Sequence, residues 1–499
     1  MHTHRCAAGC SDGCGLTRRK FLATASASVA SAVLLGSCTS GRAGEPTSTA
    51  GGLTTVRRIQ PKGPASRCTP TVRVCFVRRK GPYGMRWPGE YFDGEAALKR
   101  YADEITATAR NLHMKLDLRP TPLYSAAEAD SWVAESAADK PDGQVVVLLD
   151  RQEHAWPTAD KAIDTQIPTV VVSPVGTSFT TNTARPSKKP GSVILSTDDM
   201  GQVRWGLKML HAGAKLKATR CLVIRGNQPA DTTMAHLGIQ LHTVPASVFV
   251  EEYRKTPDTP EILAMADEMI RGARRQIGAT RQDVVNGVKS YVVARTLLER
   301  EEADAITMDC LGALGHIKVS LPCIAWSKMN DDGIPAACEA DLGAVATHCV
   351  TQYLFDRPGF QQDPVAETTR GAIIGSHCSC PTRLGGFDGP AEPYDIVHHH
   401  GARDATARPV WRVGQRVTLA DVLPANSKTP TQMVIGAGEV LENVAVPPAG
   451  GCVVAVMARF DGGSDVLTYP GFHQLFLYGD FKRELLQFCK LFNIVPVLA

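Results

Sequence analysis

Short apolar runs alternate with helix-period segments before residue 330, and this alternation limits the folds open to the chain. The runs at 72–77 and 144–149 are apolar enough for strands buried on both faces, and residues 95–112 and 200–214 carry apolar residues at helical spacing. Buried strands separated by helices are typical of a parallel sheet covered by helices on both faces. A second series of such units begins at 220–227, so two α/β domains are predicted.

The sequence pattern changes after residue 372, where short β-type segments are separated by Gly and Pro. Such segments at 417–420, 433–436 and 452–459 favour a barrel or sandwich. The predicted fold class is therefore α/β, with two Rossmann-like parallel-sheet domains followed by a small β-rich, barrel-like C-terminal domain. The predicted domain boundaries are 69–218, 219–362 and 363–499.

The charge balance and the missing motifs exclude several common functions. The 499-residue chain carries 54 Lys and Arg against 50 Asp and Glu, a formal net charge of +4. So small an excess excludes the basic footprint of a nucleic-acid-binding protein. The chain also lacks G-x-G-x-x-G, G-x-x-x-x-G-K-[ST] and G-x-S-x-G. A nicotinamide enzyme, a P-loop nucleotide enzyme and a common serine hydrolase are therefore disfavoured.

The first 38 residues have the pattern of an export signal. The sequence TRRKFL at 17–22 precedes a weakly apolar run, 23–35, that is too short and too rich in Ala and Ser for a membrane span. This pattern predicts a twin-arginine signal and a place in the periplasm or on the outer face of a bacterial membrane. Cys38 ends a lipobox-like sequence, which predicts a lipid anchor, with simple cleavage nearby as the alternative. Residues 39–68 are predicted to form a flexible tether.

Fifteen cysteines raise the question of disulfides or a zinc site. Four of them lie in the predicted leader, and the remaining eleven lack paired C-x-x-C spacing. Cys378 and Cys380 form a C-x-C pair beside His377, which is a weak zinc signal without further thiols nearby. Most of the other cysteines are predicted to be small buried residues.

Acidic, imidazole and thiol side chains are concentrated between residues 331 and 381. A tight turn is predicted to deliver Glu339 to the start of an apolar helix. Asp363 is predicted to lie in a loop, and His377 at the end of an apolar strand. Two carboxylates and an imidazole are therefore close together in the sequence.

Four segments carry a resemblance to a known family, namely PAACEADLGA, QQDPVAE, GSHCSCP and PGFHQLFLYGD. Together they resemble the L-fucose and L-arabinose isomerases. The resemblance implies that Glu339, Asp363 and His473 hold Mn²⁺ and that the two carboxylates also transfer the proton. It further implies a metal or site role for His377, a sugar-stacking role for Trp87 at a subunit boundary, and a trimer or hexamer. A structural role for His377 and ordinary packing for Trp87 stay open.

The chemistry of such an isomerase matches these residue types. Moving a carbonyl between C1 and C2 of a sugar requires a proton transfer while two oxygens carry the enediolate charge. A divalent ion with open positions stabilises that charge, and carboxylates beside the sugar carry the proton. Two carboxylates and an imidazole favour Mn²⁺, with Mg²⁺ or Co²⁺ as substitutes. We therefore expect an exported, metal-dependent isomerase of a monosaccharide, with Glu339 and Asp363 catalytic.

Two other functions stay open on the sequence alone. A sugar-binding or sensing lipoprotein would use the same tandem α/β domains without turnover, and a zinc hydrolase would use His377 and the neighbouring thiols. His398, His399 and His400 are contiguous, and neighbouring residues of an extended segment point to opposite sides. A surface loop, rather than a metal cluster, is predicted for these three residues.

Overall fold

The computed structural model of the protein describes residues 59–86, 91–317, 319–399, 403–446, 451–462 and 465–499. The predicted export signal, Trp87 and His400 lie outside the described residues. The end of the predicted tether is described, and it contains a short 3-10 helix at Pro64–Arg67. The N–H groups of Ala65 and Ser66 donate to the Asp304 carboxylate at 3.0 and 2.9 Å, so this segment packs against the fold. None of the described helices is long and apolar enough to cross a membrane.

The first α/β region is built around a parallel sheet. The strands of this region are β1 (Thr71–Val77), β2 (Gly84–Arg86), β3 (Tyr91–Asp93), β4 (Lys115–Leu118), β5 (Gly143–Leu148), β6 (Thr169–Ser173) and β7 (Ser192–Ser196). Its helices are α1 (Gly94–Asn111), α2 (Ala126–Asp139), α3 (Ala155–Asp164), α4 (Thr180–Thr183) and α5 (Met200–Ala218). The sheet order is β4, β1, β5, β6, β7, and every pairing is parallel. Strand β5 is buried along its whole length, as expected when helices cover both faces.

The second α/β region repeats this architecture. Its strands are β8 (Arg220–Ile224), β9 (Ala230–Thr233), β10 (Gln240–Val244), β11 (Arg275–Ile277), β12 (Ala305–Met308) and β13 (Ala336–Cys338). Its helices are α6 (Ala246–Lys255), α7 (Pro260–Gly272), α8 (Arg281–Arg300), α9 (Cys310–Leu314), α10 (Cys323–Asp331) and α11 (Leu342–Phe355). The sheet order is β13, β12, β8, β10, β9, with β9 the antiparallel member. Strand β13 is therefore an edge strand of this sheet.

The C-terminal region is a closed barrel. Its strands are β14 (Phe360–Glu367), β15 (Ala372–His377), β16 (Tyr394–His399), β17 (Arg403–Pro409), β18 (Arg416–Leu423), β19 (Gln432–Asn443), β20 (Val454–Phe460), β21 (Gln474–Tyr478) and β22 (Val495–Leu498), and its helix is α12 (Lys482–Leu491). Strands β18, β21, β14, β15, β20 and β19 pair antiparallel in that order, and β19 returns to β18. Strand β22 pairs parallel with β19, while β16 and β17 join β11 in a separate sheet. The predicted fold class, parallel α/β sheets followed by a barrel, is confirmed.

Helix α11 joins the second sheet to the barrel. It packs against β13 and also against β18 and β21. The N–H of Cys338, at the end of β13, donates to Oε1 of Gln361 in β14 at 2.9 Å. The N–H of Val422 in β18 donates to Oγ1 of Thr347 in α11 at 2.8 Å. These bonds hold the end of β13 against the strands that carry the other candidate site residues.

Candidate metal centre

Glu339 lies in a left-handed turn between β13 and α11. The prediction that it starts the helix is wrong, because residues 336–338 form a strand and the helix begins only at Leu342. Glu339 and Ala340 have φ values of 62° and 52°, a region that side chains with a Cβ atom rarely adopt. The N–H of Ala340 donates to the Met308 carbonyl at 2.9 Å and helps to hold this turn. Glu339 is thereby placed at the carboxyl edge of a mainly parallel sheet, where ligand-binding groups commonly lie.

Asp363 and His377 come from adjacent strands of the barrel. The prediction of a loop at Asp363 is wrong, because this residue lies in β14 at the point where the strand changes partner. Gln362 pairs with Gln474 of β21, whereas Asp363 pairs with Ser376 of β15. His377 ends β15, and only 4% of its surface is exposed. The strand pairing therefore holds Asp363 close to His377.

His473 is positioned by a tight segment that leads into β21. Gly471 has a φ of 83°, and a Cβ atom there would lie 2.3 Å from Oδ2 of Asp421. The N–H of Phe472 donates to the same Oδ2 atom at 3.2 Å. Only glycine meets both requirements at this position. His473 itself is buried and has a φ of 48°, so two of the candidate ligands, Glu339 and His473, have left-handed backbones.

The four side chains converge on one point. Nε2 of His473 lies 3.1 Å from Oδ1 of Asp363 and 3.5 Å from Oε2 of Glu339. Nε2 of His377 lies 3.8 Å from Oε1 of Glu339. One ligand atom from each of Glu339, His377 and His473 lies within 4.8 Å of the others, and these three residues form a possible metal-binding group. The structure thus brings Glu339, Asp363 and His473 together with His377, for which the resemblance implies a metal or site role.

The close approach of acidic and imidazole groups fits a cation site. Oδ1 of Asp363 and Nε2 of His473 are buried, and the two atoms lie 3.1 Å apart. Buried ionisable groups are paired with one another or coordinate a metal ion. Carboxylate oxygens with imidazole nitrogens suit a divalent ion of intermediate hardness. The side chains of Glu339 and Asp363 are each 32% exposed, which leaves the cluster open to solvent.

Asp341 orients the imidazole of His473, and the sequence analysis did not single it out. Its Oδ2 lies 2.8 Å from Nδ1 of His473, and its Oδ1 accepts the N–H of Ala344 at 2.8 Å. One carboxylate therefore caps α11 and fixes Nδ1 of the imidazole, which turns Nε2 toward Glu339 and Asp363. The sequence signal was an Asp directly before an apolar helix, which is typical of an N-cap.

The carboxylates control the charge of this cluster. Burial alone lowers the pKa of His473, but Asp341, Asp363 and Glu339 outweigh it and raise the pKa to about 11. His473, together with His377, lowers the pKa of Glu339 against the effects of burial and of Asp363. Without a bound cation, His473 is therefore an imidazolium at neutral pH, and a metal ion must displace its proton.

A second buried carboxyl lies behind Asp341. Burial, reinforced by the charge of Asp341, raises the pKa of Asp421 to about 8. Asp421 is therefore protonated at neutral pH, which keeps a second negative charge away from Asp341. Burial also raises the pKa of Asp341, but the hydrogen bonds from His473 and the Ala344 N–H lower it further than burial raises it.

The predicted surface loop at 398–400 is described in part. His398 and His399 belong to β16 rather than to a surface loop, and His399 is 5% exposed, so that prediction is wrong for both. Nδ1 of His398 lies 3.1 Å from the carbonyl oxygen of Asp404. Trp87 and His400 fall outside the described residues, so their predicted roles stay predictions.

Comparison with known proteins supports one general class. The chain is 22% identical over 278 residues to proteins named sulfoquinovose isomerase from Priestia aryabhattai and Priestia megaterium (strain ATCC 12872 / QMB1551). This chain is similar to a sugar isomerase. The similarity covers 52% of this chain and 57% of each relative, so the chain spans little more than half the length of the proteins it matches. The similarity therefore supports a sugar isomerase in general and no particular sugar.

Two further comparisons add nothing to this class. No family model matches the chain. A sugar ABC transporter (sugar-binding protein) from Bacillus halodurans matches 47% of this chain and 88% of its own, at 14% identity and a TM-score of 0.18. A TM-score this low carries no argument about fold or function.

Proposed function

We propose that the protein is a metal-dependent isomerase that interconverts an aldose and a ketose. The observation that carries this proposal is the convergence of Glu339, Asp363, His377 and His473 on one point. The similarity to sulfoquinovose isomerases, over about half of the chain, supports the same class.

The four side chains would hold one divalent ion. Glu339, Asp363, His377 and His473 offer oxygen and nitrogen ligands, and we propose Mn²⁺, with Mg²⁺ or Co²⁺ as substitutes. The ion supplies positive charge that stabilises the two negatively charged oxygens of an enediolate. Asp341 keeps Nε2 of His473 available as a ligand, because it holds the proton of the neutral imidazole on Nδ1.

The two carboxylates are proposed to move the proton. Glu339 and Asp363 both lie close to Nε2 of His473, at 3.5 and 3.1 Å, and both are partly exposed. One carboxylate removes the proton from C2 of the aldose and a proton is returned to C1, while the proton of the C2 hydroxyl group passes to the oxygen on C1, so that the ketose is an isomer of the aldose. Because the imidazoles lower the pKa of Glu339, this residue is ionised at neutral pH and ready to accept a proton.

Three expectations from the sequence stay proposals alongside this one. We propose export by the twin-arginine route, anchoring through Cys38, and a homo-oligomer in which Trp87 contacts the sugar bound by a neighbouring subunit. Each concerns residues 1–38, Trp87 or a second copy of the chain, none of which the structure describes.

The direct test is a turnover assay with defined metal content. Protein stripped with a chelator and reloaded with Mn²⁺ is incubated with sulfoquinovose, L-fucose, L-arabinose and common aldohexoses, and ketose formation is followed by NMR. We expect turnover of at least one sugar with Mn²⁺, and loss of it with chelator. Glu339→Gln is expected to lower kcat by at least about 100-fold, since a general base contributes roughly 10²–10⁴-fold.

The matched control is Glu367→Gln. Glu367 ends β14, four positions beyond Asp363, and accepts the N–H groups of Thr369 and Arg370, so its replacement should leave turnover unchanged. Saturable sugar binding without ketose formation, with or without metal, would replace the isomerase with a sugar-binding protein. An active Glu339→Gln variant would remove Glu339 from the mechanism.

A further inference from the structure

Phe472 is an exposed aromatic residue in direct contact with a candidate metal ligand. The centroid of its ring lies 4.5 Å from that of the His473 imidazole, and the two ring planes are inclined by 45°. Phe472 is 58% exposed, whereas His473 is 4% exposed. Phe472 therefore covers part of the imidazole and keeps a large apolar surface in solvent beside the metal centre.

The backbone that carries Phe472 is held in place on both sides. The N–H of Phe472 donates to Oδ2 of Asp421 at 3.2 Å, and Nε2 of Gln474 donates to the carbonyl oxygen of Pro470. Gly471, with a φ of 83°, makes the turn that these bonds require. The exposed ring is thus presented by a fixed segment, so a ligand that packs against it loses little free energy in ordering the chain.

Three other exposed apolar side chains belong to segments next to the metal centre. Val365 lies two positions beyond Asp363 in β14, and Leu467 lies in a short 3-10 helix that packs against β14. Leu311 lines a small cavity together with Glu339. The exposed fractions are 40% for Leu311, 51% for Val365 and 70% for Leu467. Apolar side chains exposed together around a few polar groups are typical of a ligand-binding surface.

We propose that Phe472 forms an apolar wall of the sugar site and packs against C–H groups of the bound sugar. This inference rests on the proposed function, because it takes the ligand of the metal centre to be a monosaccharide. The oxygens on C1 and C2 are directed to the ion, and the carbon chain beyond C2 presents C–H groups to the protein. A flat aromatic ring covers several C–H groups at once, and removing both apolar surfaces from water favours binding.

Two uses of the ring predict different effects of its removal. A ring that only shields the His473 imidazole supports metal binding and leaves sugar binding at saturating metal unchanged. A ring that packs against the sugar contributes to sugar binding and offers the metal no ligand atom. The 58% exposure of Phe472 favours the second use, because a shield needs only the covered part of the ring.

The test measures metal binding, sugar binding and turnover separately in Phe472 variants. Sulfoquinovose, L-fucose, L-arabinose and D-glucose are the probes, each titrated by calorimetry into protein saturated with Mn²⁺, and KM and kcat are measured for every sugar that is turned over. We expect Phe472→Ala to raise the Kd and the KM of the bound sugar by about tenfold, the lower end of the effect of burying a Phe side chain. The Mn²⁺ affinity should stay unchanged. Phe472→Tyr, which keeps the flat ring, should bind the sugar as the wild type does.

The matched control is Val413→Ala, which removes another exposed apolar side chain of the C-terminal region. Val413 is 68% exposed and follows Arg412, whose N–H donates to the hydroxyl of Tyr478 at 3.0 Å. Tyr478 ends β21, at the opposite end of the strand from His473. Val413→Ala should therefore change neither sugar binding nor metal binding.

The outcomes separate this inference from the proposed function. Turnover by the wild type with equal sugar affinity in Phe472→Ala would overturn the role of Phe472 and leave the isomerase standing. Sugar binding that Phe472→Ala weakens, in a protein without turnover, would keep the role of Phe472 and overturn the isomerase. A wild type that binds none of the four sugars would overturn both. Unchanged sugar binding with a lower Mn²⁺ affinity, or with a changed oligomeric state in light scattering, would assign the ring to metal shielding or to a contact between copies and overturn the sugar contact.

Discussion

Replacement of Asp341 by Asn tests how the imidazole of His473 is prepared to bind a metal. Asp341 uses one oxygen for the N–H of Ala344 and the other for Nδ1 of His473, both at 2.8 Å. Asn has only one oxygen. If that oxygen caps α11, its NH₂ group faces Nδ1, which must then accept, and the imidazole proton moves to Nε2. A protonated Nε2 cannot bind a cation.

The expected loss of affinity is at the upper end of what outer residues of metal sites contribute. Such residues contribute about 10–100-fold, or about 1.4–2.8 kcal/mol. We expect Asp341→Asn to weaken Mn²⁺ binding by about 100-fold. Asp341→Ala leaves Nδ1 free to carry the proton, so it should weaken binding less. It should, however, cost about 1 kcal/mol of stability through the lost helix cap.

The opposite ranking of the two variants makes the test specific. Mn²⁺ affinity is measured by titration calorimetry, and the free energy of unfolding by urea denaturation with chelator present. Asp199→Ala is the control, because Asp199 caps α5, in the first α/β region, by accepting the N–H of Gly201 at 2.8 Å. It should lose stability but no metal affinity. Equal affinity in Asp341→Asn, Asp341→Ala and the wild type would refute the proposed role of Asp341.

Three further predictions follow from groups around the centre. Because the pKa of His473 is raised to about 11, Mn²⁺ binding at pH 7.5 should release about one proton, and the Mn²⁺ affinity should rise about tenfold per pH unit. Titration calorimetry in several buffers measures both quantities. An Mn²⁺ affinity that does not depend on pH would contradict this prediction. Gly471→Ala should lower the free energy of unfolding, measured by urea denaturation, by about 2–3 kcal/mol, because the new Cβ would meet Asp421. Gly414→Ala, at a φ of 79° in open space, should lower it by only about 1 kcal/mol. Equal losses in the two variants would rule out the clash. Burial lowers the pKa of His348 to about 3, so below pH 6.5 the unfolded chain binds a proton that the folded chain does not bind. The unfolding free energy of His348→Leu should therefore rise by about 2 kcal/mol relative to that of the wild type between pH 7 and pH 5. A difference that does not change with pH would argue against a buried neutral imidazole.

The local sequence pattern and a few sequence motifs determined much of the predicted fold and site of this protein. The all-buried β5 and the alternation of strands and helices follow from residue periodicity, which is a property of each segment, and they predicted the fold class. The sequence motifs around Glu339, Asp363 and His473 indicated the residues that the tertiary structure brings together. Their chemistry is a property of residue type, which a sequence states directly.

Tertiary structure alone decided how those residues meet. The left-handed turn at Glu339 and the change of strand partner at Asp363 depend on contacts between segments far apart in the chain. The local sequence predicted the start of a helix at Glu339 and a loop at Asp363 instead. The link from Asp341 to His473 likewise joins distant positions. Strand pairing and barrel closure fix these distances, and a pattern read along one segment contains no information about them.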